Sequence, residues 1–175
     1  SLNDEQVEIS DRIREARCLS NEDHGKLFTL GYFSGTASHQ EDFSLIERAV
    51  IDHLNANEDS RLLIVGCFQL SDALYELLLR GRVRVLPKVD YATLQLLQAS
   101  VDVVLAPLVL DEFTHCKGAL KVFEAGVVGT PACASPSFCY SEAIEEGLSG
   151  FLCSSDVAWE EALQKLHDDM ALCGE

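Results

Sequence analysis

Short apolar runs alternate with amphipathic segments along most of the chain. The runs predict strands, and each is followed closely by Gly, Ser or Pro: about 26–33, 61–66, 83–86, 102–106 and 131–135, with a further apolar stretch at 151–153. The segments between them predict helices: about 41–56, 71–79, a segment from Asp90, 115–128, 140–146 and 155–172. Strands and helices that alternate in this way predict an α/β protein. We expect a Rossmann-like, doubly wound parallel sheet of five to six strands with helices on both faces.

The strands at about 27–33, 61–66 and 102–106 are expected at the centre of that sheet, because they are apolar on both faces. An earlier helix, ending near Cys18, carries only a loose apolar stripe. We therefore expect two parts: a connecting helix and linker over 1–25, and the α/β domain over 26–175.

Apolar spacing predicts which side of two helices faces the core. In the helix at 41–56 the inward residues are expected to be Phe43, Leu45, Ile46, Ala49, Val50 and Leu54. In the helix that starts near His115 they are expected to be Leu120, Val122, Phe123 and Val127. Lys117, Lys121 and Glu124 stand three or four residues apart and share one face of that helix.

Composition narrows the classes of function. The chain has 175 residues, 47% of them hydrophobic, and no apolar run near the roughly 20 residues of a membrane span. Its 13 basic and 29 acidic residues give a net charge of −16, which disfavours binding to nucleic acid. We expect a cytoplasmic protein in which an anionic ligand is held by local charge, such as that of Lys117 and Lys121.

Seven cysteines are present, without a CxxC pair or a framework spacing. This pattern favours free thiols in a reducing compartment over a metal or redox site. Cys133 and Cys139 are expected to be free thiols in or near the core, and no metal site is expected.

Several stretches, taken in order, resemble one family. They are Gly31-Tyr32-Phe33-Ser34-Gly35-Thr36 with His39 and Asp42-Phe43, then Leu62 to Gly66, Leu86 to Leu94, Ala99 to Asp102, and His115 to Leu152. Together they are similar to the donor-binding half of retaining glycosyltransferases of the GT-B architecture. This group 1 family transfers sugars from nucleoside diphosphate donors.

The resemblance implies roles for residues of the helix that starts near His115. Glu124 would accept hydrogen bonds from the ribose hydroxyls of the nucleotide; the alternative is an exposed Glu paired with Lys117 or Lys121. These two lysines would neutralise the diphosphate as it leaves, without a metal; the alternative is a solvated cationic turn. Cys116 stands where the family usually has a Glu that meets the donor sugar, so the sugar is left open.

Other predicted contacts lie on loops. Gly35, Thr36 and His39 belong to a small-residue loop that would approach the phosphates or the sugar, although such residues also form ordinary turns. The family usually has Arg or Lys near this loop, where this chain has Thr36, His39 and Gln40. The resemblance places Lys88 and Val89 at the nucleobase; the alternative is an ordinary strand-to-helix turn. It places Ser135 beside the donor. No cofactor other than the donor is implied.

The sequence therefore predicts the donor-binding half of an enzyme that transfers sugar to a glycan or cell-surface acceptor. The acceptor-binding half would be a second domain before residue 1. The alternative is a non-catalytic doubly wound domain that regulates or docks to a partner. Receiver domains of that kind carry clustered acids after the first strands, where this chain has Gly66-Cys67.

Overall fold

All strands of the computed structural model, which describes residues 4–20, 27–35, 39–110 and 119–169, belong to one parallel sheet. The six strands in this part of the chain have the order β3-β2-β1-β4-β5-β6. Their bounds are β1 Phe28–Ser34, β2 Ser60–Gly66, β3 Val83–Leu86, β4 Val103–Ala106, β5 Ala132–Ala134 and β6 Gly150–Leu152. The predicted parallel sheet is confirmed, and β2, β1 and β4 lie next to one another in its interior.

Eight helices are described, and they cover both faces of the sheet. Their bounds are α1 Asp4–Ser20, α2 His39–Ser44, α3 Glu47–Ala56, α4 Asp72–Leu79, α5 Tyr91–Ala99, α6 Leu120–Gly126, α7 Phe138–Ala143 and α8 Asp156–Asp168. Helices α3, α4 and α8 pack on one face, and α5 and α6 pack on the other. Helix α1 packs on α5, so part of the segment predicted as a connector lies against the domain.

The strands divide their side chains between the two faces, as the pleat requires. In β2, Leu62 and Ile64 join the core beneath α3, α4 and α8, while Leu63 and Val65 join the core beneath α5 and α6. Because both faces of such a strand are buried, its sequence is a continuous apolar run. Within the described residues, no helix combines the length and hydropathy needed to cross a bilayer.

The predicted helix at 41–56 is wrong in one respect, because it is two helices. The chain turns between α2 and α3, where Ile46 precedes the first residue of α3 and its amide bonds to the carbonyl of Phe43 at 3.0 Å. The turn buries Ile46 completely but leaves Leu45 46% exposed. The prediction that Leu45 faces the core therefore fails.

Helix α6 buries only part of the stripe that was predicted. Leu120 and Phe123 are 48% and 55% exposed, whereas Val122 and Ala125 are buried. Helix α6 meets the sheet through positions 122 and 125, which are three residues apart and so lie on one side of it. The prediction rested on apolar character alone, which is why it had all four apolar residues of this helix facing the core.

Several helix boundaries also differ from prediction. Helix α7 begins at Phe138 instead of Tyr140, because the Ser137 hydroxyl caps it by accepting from the Tyr140 amide at 3.3 Å. Helix α8 ends at Asp168 instead of near residue 172. The predicted free thiols are confirmed: Cys133 is buried and Cys139 is half-buried.

Candidate functional site

A cleft of about 270 Å³ opens at the carboxyl edge of the sheet. It lies at the ends of β1 and β2 and is bordered by the loop after β3 and by helices α5 and α6. Its lining consists of Phe33, Ser34, Gly35, Val65, Gly66, Lys88, Val89, Leu94, Leu120, Lys121 and Glu124. The carboxyl edge near a reversal of strand order is where open α/β sheets bind ligands, and the order here reverses between β1 and β4.

The floor of the cleft depends on a close approach of two strand ends. Gly66 has a φ of +113°, and a β-carbon built on it would lie 1.8 Å from the Ser34 carbonyl oxygen. The Ser34 hydroxyl in turn donates to the carbonyl of Cys67 at 2.9 Å. A side chain at position 66 would therefore force β1 and β2 apart just beneath the ligand space.

A polar bridge joins the loops that follow these two strands. The Gln40 side chain donates to the Gln69 carbonyl at 3.0 Å and accepts from the Gln69 amide at 2.9 Å. Its amide group is therefore occupied within the fold. Gln40 is one of the residues that this chain has near the loop where the family usually has Arg or Lys.

The loop after β3 brings Lys88 and Val89 to the cleft. Asp90 ends this loop by capping α5: its carboxylate accepts from the Thr93 amide at 3.0 Å and from the Thr93 hydroxyl at 2.8 Å. Val89 packs on the apolar cluster beneath α5, and Lys88 is exposed. The cap fixes where the loop ends and so holds these two residues at the rim.

Helix α6 supplies both charged groups of the inner cleft. Burial raises the pKa of Glu124, although a hydrogen bond from the Gln98 side chain and the positive charge of Lys121 act in the opposite direction. Lys121 lies with its Nζ 5.3 Å from the centre of the Tyr32 ring. A carboxylate and an ammonium group therefore stand one helical turn apart in a partly desolvated cleft.

Buried polar groups lie behind Lys121. Asp42 is 4% exposed, and its Oδ1 accepts from the Val109 amide at 2.9 Å. Burial, followed by the nearby Asp42 carboxylate, raises the pKa of Tyr140 to about 12, and the same causes raise the pKa of Tyr32. Both phenols are therefore neutral at ordinary pH.

Five of the predicted site residues meet in this cleft, although they come from three separate parts of the sequence: Gly35, Lys88, Val89, Lys121 and Glu124. Ser135 lies elsewhere, in a second cleft of about 270 Å³ with Leu108 and Trp159. Its hydroxyl accepts from the Leu108 amide at 2.9 Å. Lys117 and Thr36 lie outside the described residues, as does the side chain of His39.

Sequence reasoning did not identify the two glutamines of α5 behind Glu124. Gln95 and Gln98 are 0% and 1% exposed, although they are polar. The signal was their spacing of three, which places two amides on the same side of a leucine-rich helix. Among the residues that the structure describes, no group of His, Cys, Asp and Glu is arranged to hold a metal ion.

The chain is similar to known proteins both in its sequence, through a family model, and in its fold, through solved structures. Residues 28–169 match the model of a family described as "Glycosyl transferases group 1". A search of curated proteins found no match.

Solved structures share the fold at low sequence identity. The pneumococcal O-GlcNAc transferase GtfA, solved with UDP and GlcNAc, has a TM-score of 0.66 and 18% identity over 85% of this chain and 30% of its own. Anabaena HepE, solved with UDP and glucose, has a TM-score of 0.65 and 18% identity over 99% of this chain and 45% of its own. The C-terminal domain of LpcC from Francisella tularensis has a TM-score of 0.63 and 19% identity over 91% of this chain and 85% of its own.

The chain covers different shares of the lengths of these three proteins. The chain spans 30% of GtfA and 45% of HepE, but most of the separately solved LpcC domain. At these identities the likeness shows a shared fold.

Proposed function

This chain belongs to the group 1 glycosyl transferases, and from that premise we propose that its cleft binds the nucleoside diphosphate sugar of a retaining glycosyltransferase. The observation that carries the proposal is the meeting of Gly35, Lys88, Val89, Lys121 and Glu124 in one cleft. The solved structures of GtfA and HepE contain UDP, which supports a nucleotide ligand for the shared fold.

Each group has a role that its chemistry supports. The Glu124 carboxylate offers two acceptor oxygens to the paired ribose hydroxyls. Lys121 neutralises charge on the diphosphate, first in the bound donor and then as the bond to the sugar breaks. The Gly35 amide lies at the open end of β1, where the absence of a side chain lets a phosphate approach the backbone.

Lys88 and Val89, at the rim of the cleft, are placed to contact the nucleobase of the donor. Val89 offers an apolar surface beside Leu94, and the loop backbone at Lys88 offers hydrogen-bonding groups to the base edge. Lys117, which lies outside the described residues, is proposed to add a second ammonium group toward the diphosphate. The proposed activity needs no cofactor besides the donor.

The acceptor is proposed to be a glycan or a cell-surface precursor held by a second domain. In this proposal the cleft described here is one wall of the active site. The proposed transfer retains the configuration at the sugar carbon, as in the family that the sequence resembles.

Calorimetric titration with UDP and GDP tests the donor-binding role. We expect saturable binding of at least one nucleotide, and Glu124→Gln should lose about 1.5–3 kcal/mol of binding free energy, the range for a hydrogen bond to a charged group. Glu160→Gln, at an exposed position of α8, is the matched control and should bind as the wild type does. Equal affinities in wild type and Glu124→Gln would remove Glu124 from the site. Binding of a divalent ion without nucleotide would instead support a regulatory domain.

A further inference from the structure

A cleft of about 370 Å³ lies at the amino edge of the sheet, opposite the edge that carries the donor cleft. It is formed by the starts of β1, β2 and β3 and by the end of α5, and it shares no lining residue with the donor cleft. Three arginines line it, Arg61, Arg82 and Arg84, and it is called the arginine cleft below.

The sheet brings two of these arginines to the same place. Arg84 of β3 is in register with Leu63 of β2, and Arg61 stands two residues before Leu63 in the same strand. All three therefore project to one face of the sheet, the face beneath α5, where Leu63 is buried. Strand spacing and rise per residue put the Cα atoms of Arg61 and Arg84 roughly 8 Å apart, a gap that two arginine side chains can span to reach one ligand.

The charge of the arginine cleft is opposite to that of the whole chain. The chain has 29 acidic and 13 basic residues, yet three arginines and no Asp or Glu stand among the described residues that line this cleft. Within the described part of the chain, none of the three forms an ion pair with a carboxylate. Like charges on adjacent strands repel each other. A bound anion would relieve that repulsion.

The fold itself accounts for Arg82 but not for the other two arginines. Nε and Nη2 of Arg82 donate to backbone carbonyls at the end of α3 and the start of β2. Arg61 uses Nη1 alone, which donates to the carbonyls of Glu58 and Ser60 at 2.7 Å each. Arg84 is exposed and makes no hydrogen bond to the residues that the structure describes. The Arg84 guanidinium and the remaining N–H groups of Arg61 are therefore free to bind a ligand.

A charge on an edge strand can also serve to prevent pairing with another chain, and β3 is at the edge of the sheet. That role would explain Arg84 by itself. It requires neither a second arginine diagonally across from it nor a cleft beside it.

The other walls of the arginine cleft are apolar, and they include Leu63, Leu86 and Leu97. Its volume lies in the range of about 300–1,000 Å³ that is typical of small-ligand sites. Guanidinium groups bind phosphate in a bidentate manner. A phosphate monoester carries a charge of about −1.5 to −2 at neutral pH, which matches two arginines, whereas one arginine would neutralise a carboxylate.

We propose that the arginine cleft is a second ligand site, which binds an organic phosphate monoester with an apolar body. Arg61 and Arg84 hold the phosphate, and the leucine walls hold the apolar body. The site does not depend on the proposed donor-binding role, because the two clefts lie at opposite edges of the sheet.

The probe for this site is 1-naphthyl phosphate, titrated into the ¹⁵N-labelled 175-residue chain and followed by the NMR shifts of backbone amides. We expect saturable shifts at Arg61, Leu63 and Arg84. Affinity should be at least about fivefold higher than for 1-naphthol or for inorganic phosphate, because each of these offers only half of the contacts. Equal affinity for either fragment would overturn the inference. So would shifts confined to the donor cleft, such as those at Gly35 and Glu124.

Arg84→Met keeps an apolar stem and removes the charge. It should weaken binding of 1-naphthyl phosphate by about three- to tenfold, the lower part of the range for a charged hydrogen bond, because the guanidinium is exposed to solvent. Arg80→Met is the matched control: Arg80 precedes Gly81 of the cleft lining, is 65% exposed and pairs with Glu76 at 3.5 Å. It removes the same charge close to the cleft and should bind the probe as the wild type does. Equal weakening in the two variants would reflect net charge only and would overturn the inference.

Arg61→Met tests the second arginine, with thermal unfolding to confirm that the variant folds. It should also weaken binding of the probe, and wild-type affinity in a folded Arg61→Met would overturn the pairing with Arg84. Arg84→Met should still bind UDP as the wild type does. If the wild-type chain binds no UDP, the proposed function fails, but the shifts at the arginine cleft still decide this inference.

Discussion

The ammonium group of Lys121 lies 5.3 Å from the centre of the buried Tyr32 ring. A cation over an aromatic face is held electrostatically, so the ring stabilises the ammonium group at the inner end of the cleft. Lys165 makes a similar contact on α8, with its Nζ 4.9 Å from the centre of the Phe151 ring. The two lysines therefore share one kind of aromatic contact, but only Lys121 lines the cleft.

Lys121→Met should weaken UDP binding much more than uridine binding. The expected loss for UDP is about 1.5–3 kcal/mol, because a charge-assisted contact to the diphosphate disappears. Lys165→Met is the control and should leave both affinities unchanged. Titration of each variant with UDP and uridine checks this, and equal losses for the two ligands would show that Lys121 only packs against the cleft.

The burial of His53 should make the folded protein less stable in acid. Its side chain is 5% exposed, with Nε2 3.1 Å from the Ser60 hydroxyl and Nδ1 3.3 Å from the Asn57 amide nitrogen. Burial, helped by nearby His167, lowers the pKa of His53 from 6.5 to about 4. As the pH falls below 6.5, His53 becomes protonated in the unfolded chain. In the folded chain it stays neutral until the pH falls to about 4.

The contribution of His53 is fully present above pH 6.5 and is lost as pH falls toward 4. The free energy of unfolding should drop by about 3 kcal/mol across that window through this residue. His167 acts in the opposite direction: burial alone would lower its pKa, but hydrogen bonds to Asp59 and Asp168 raise it. Denaturant unfolding of wild type and His53→Asn at several pH values isolates the effect. An NMR titration that gave His53 a pKa near 6.5 would contradict it.

The sequence was sufficient to predict the sheet because its inner strands are buried on both faces, as the burial of Leu62 on one face and Leu63 on the other shows. The family resemblance, and not the spacing of residues, assigned Glu124, Lys121 and Lys88 to one site, and in the structure all three line the cleft at the carboxyl edge of the sheet. The prediction failed at Leu45 because a turn between two helices is set by backbone packing and leaves no mark in apolar spacing. The sequence did not indicate Gln98, because the group to which a buried amide bonds depends on how the elements pack in the folded protein.

Gly66→Ala should destabilise the protein more than Gly81→Ala. Both glycines have positive φ, +113° and +70°, so each substitution carries a backbone penalty of about 1–2 kcal/mol. A β-carbon on Gly81 meets nothing within 4 Å, whereas one on Gly66 would lie 1.8 Å from the Ser34 carbonyl oxygen. Urea unfolding should show an additional loss of about 1–3 kcal/mol for Gly66→Ala. Equal losses would mean that β1 and β2 can separate at no cost.

The 175-residue chain alone should bind UDP-glucose without transferring or hydrolysing the sugar. Those groups proposed to hold the donor that the structure describes come from one edge of one sheet, so the described residues provide a single wall. Transfer requires the acceptor hydroxyl to be held near the sugar carbon and water to be kept from the leaving diphosphate. An assay of UDP release from UDP-glucose and UDP-GlcNAc, with and without glycan acceptors, checks this on protein already shown by calorimetry to bind UDP. Release no faster than in protein-free buffer is the expected result, and turnover above that level would show that one wall suffices.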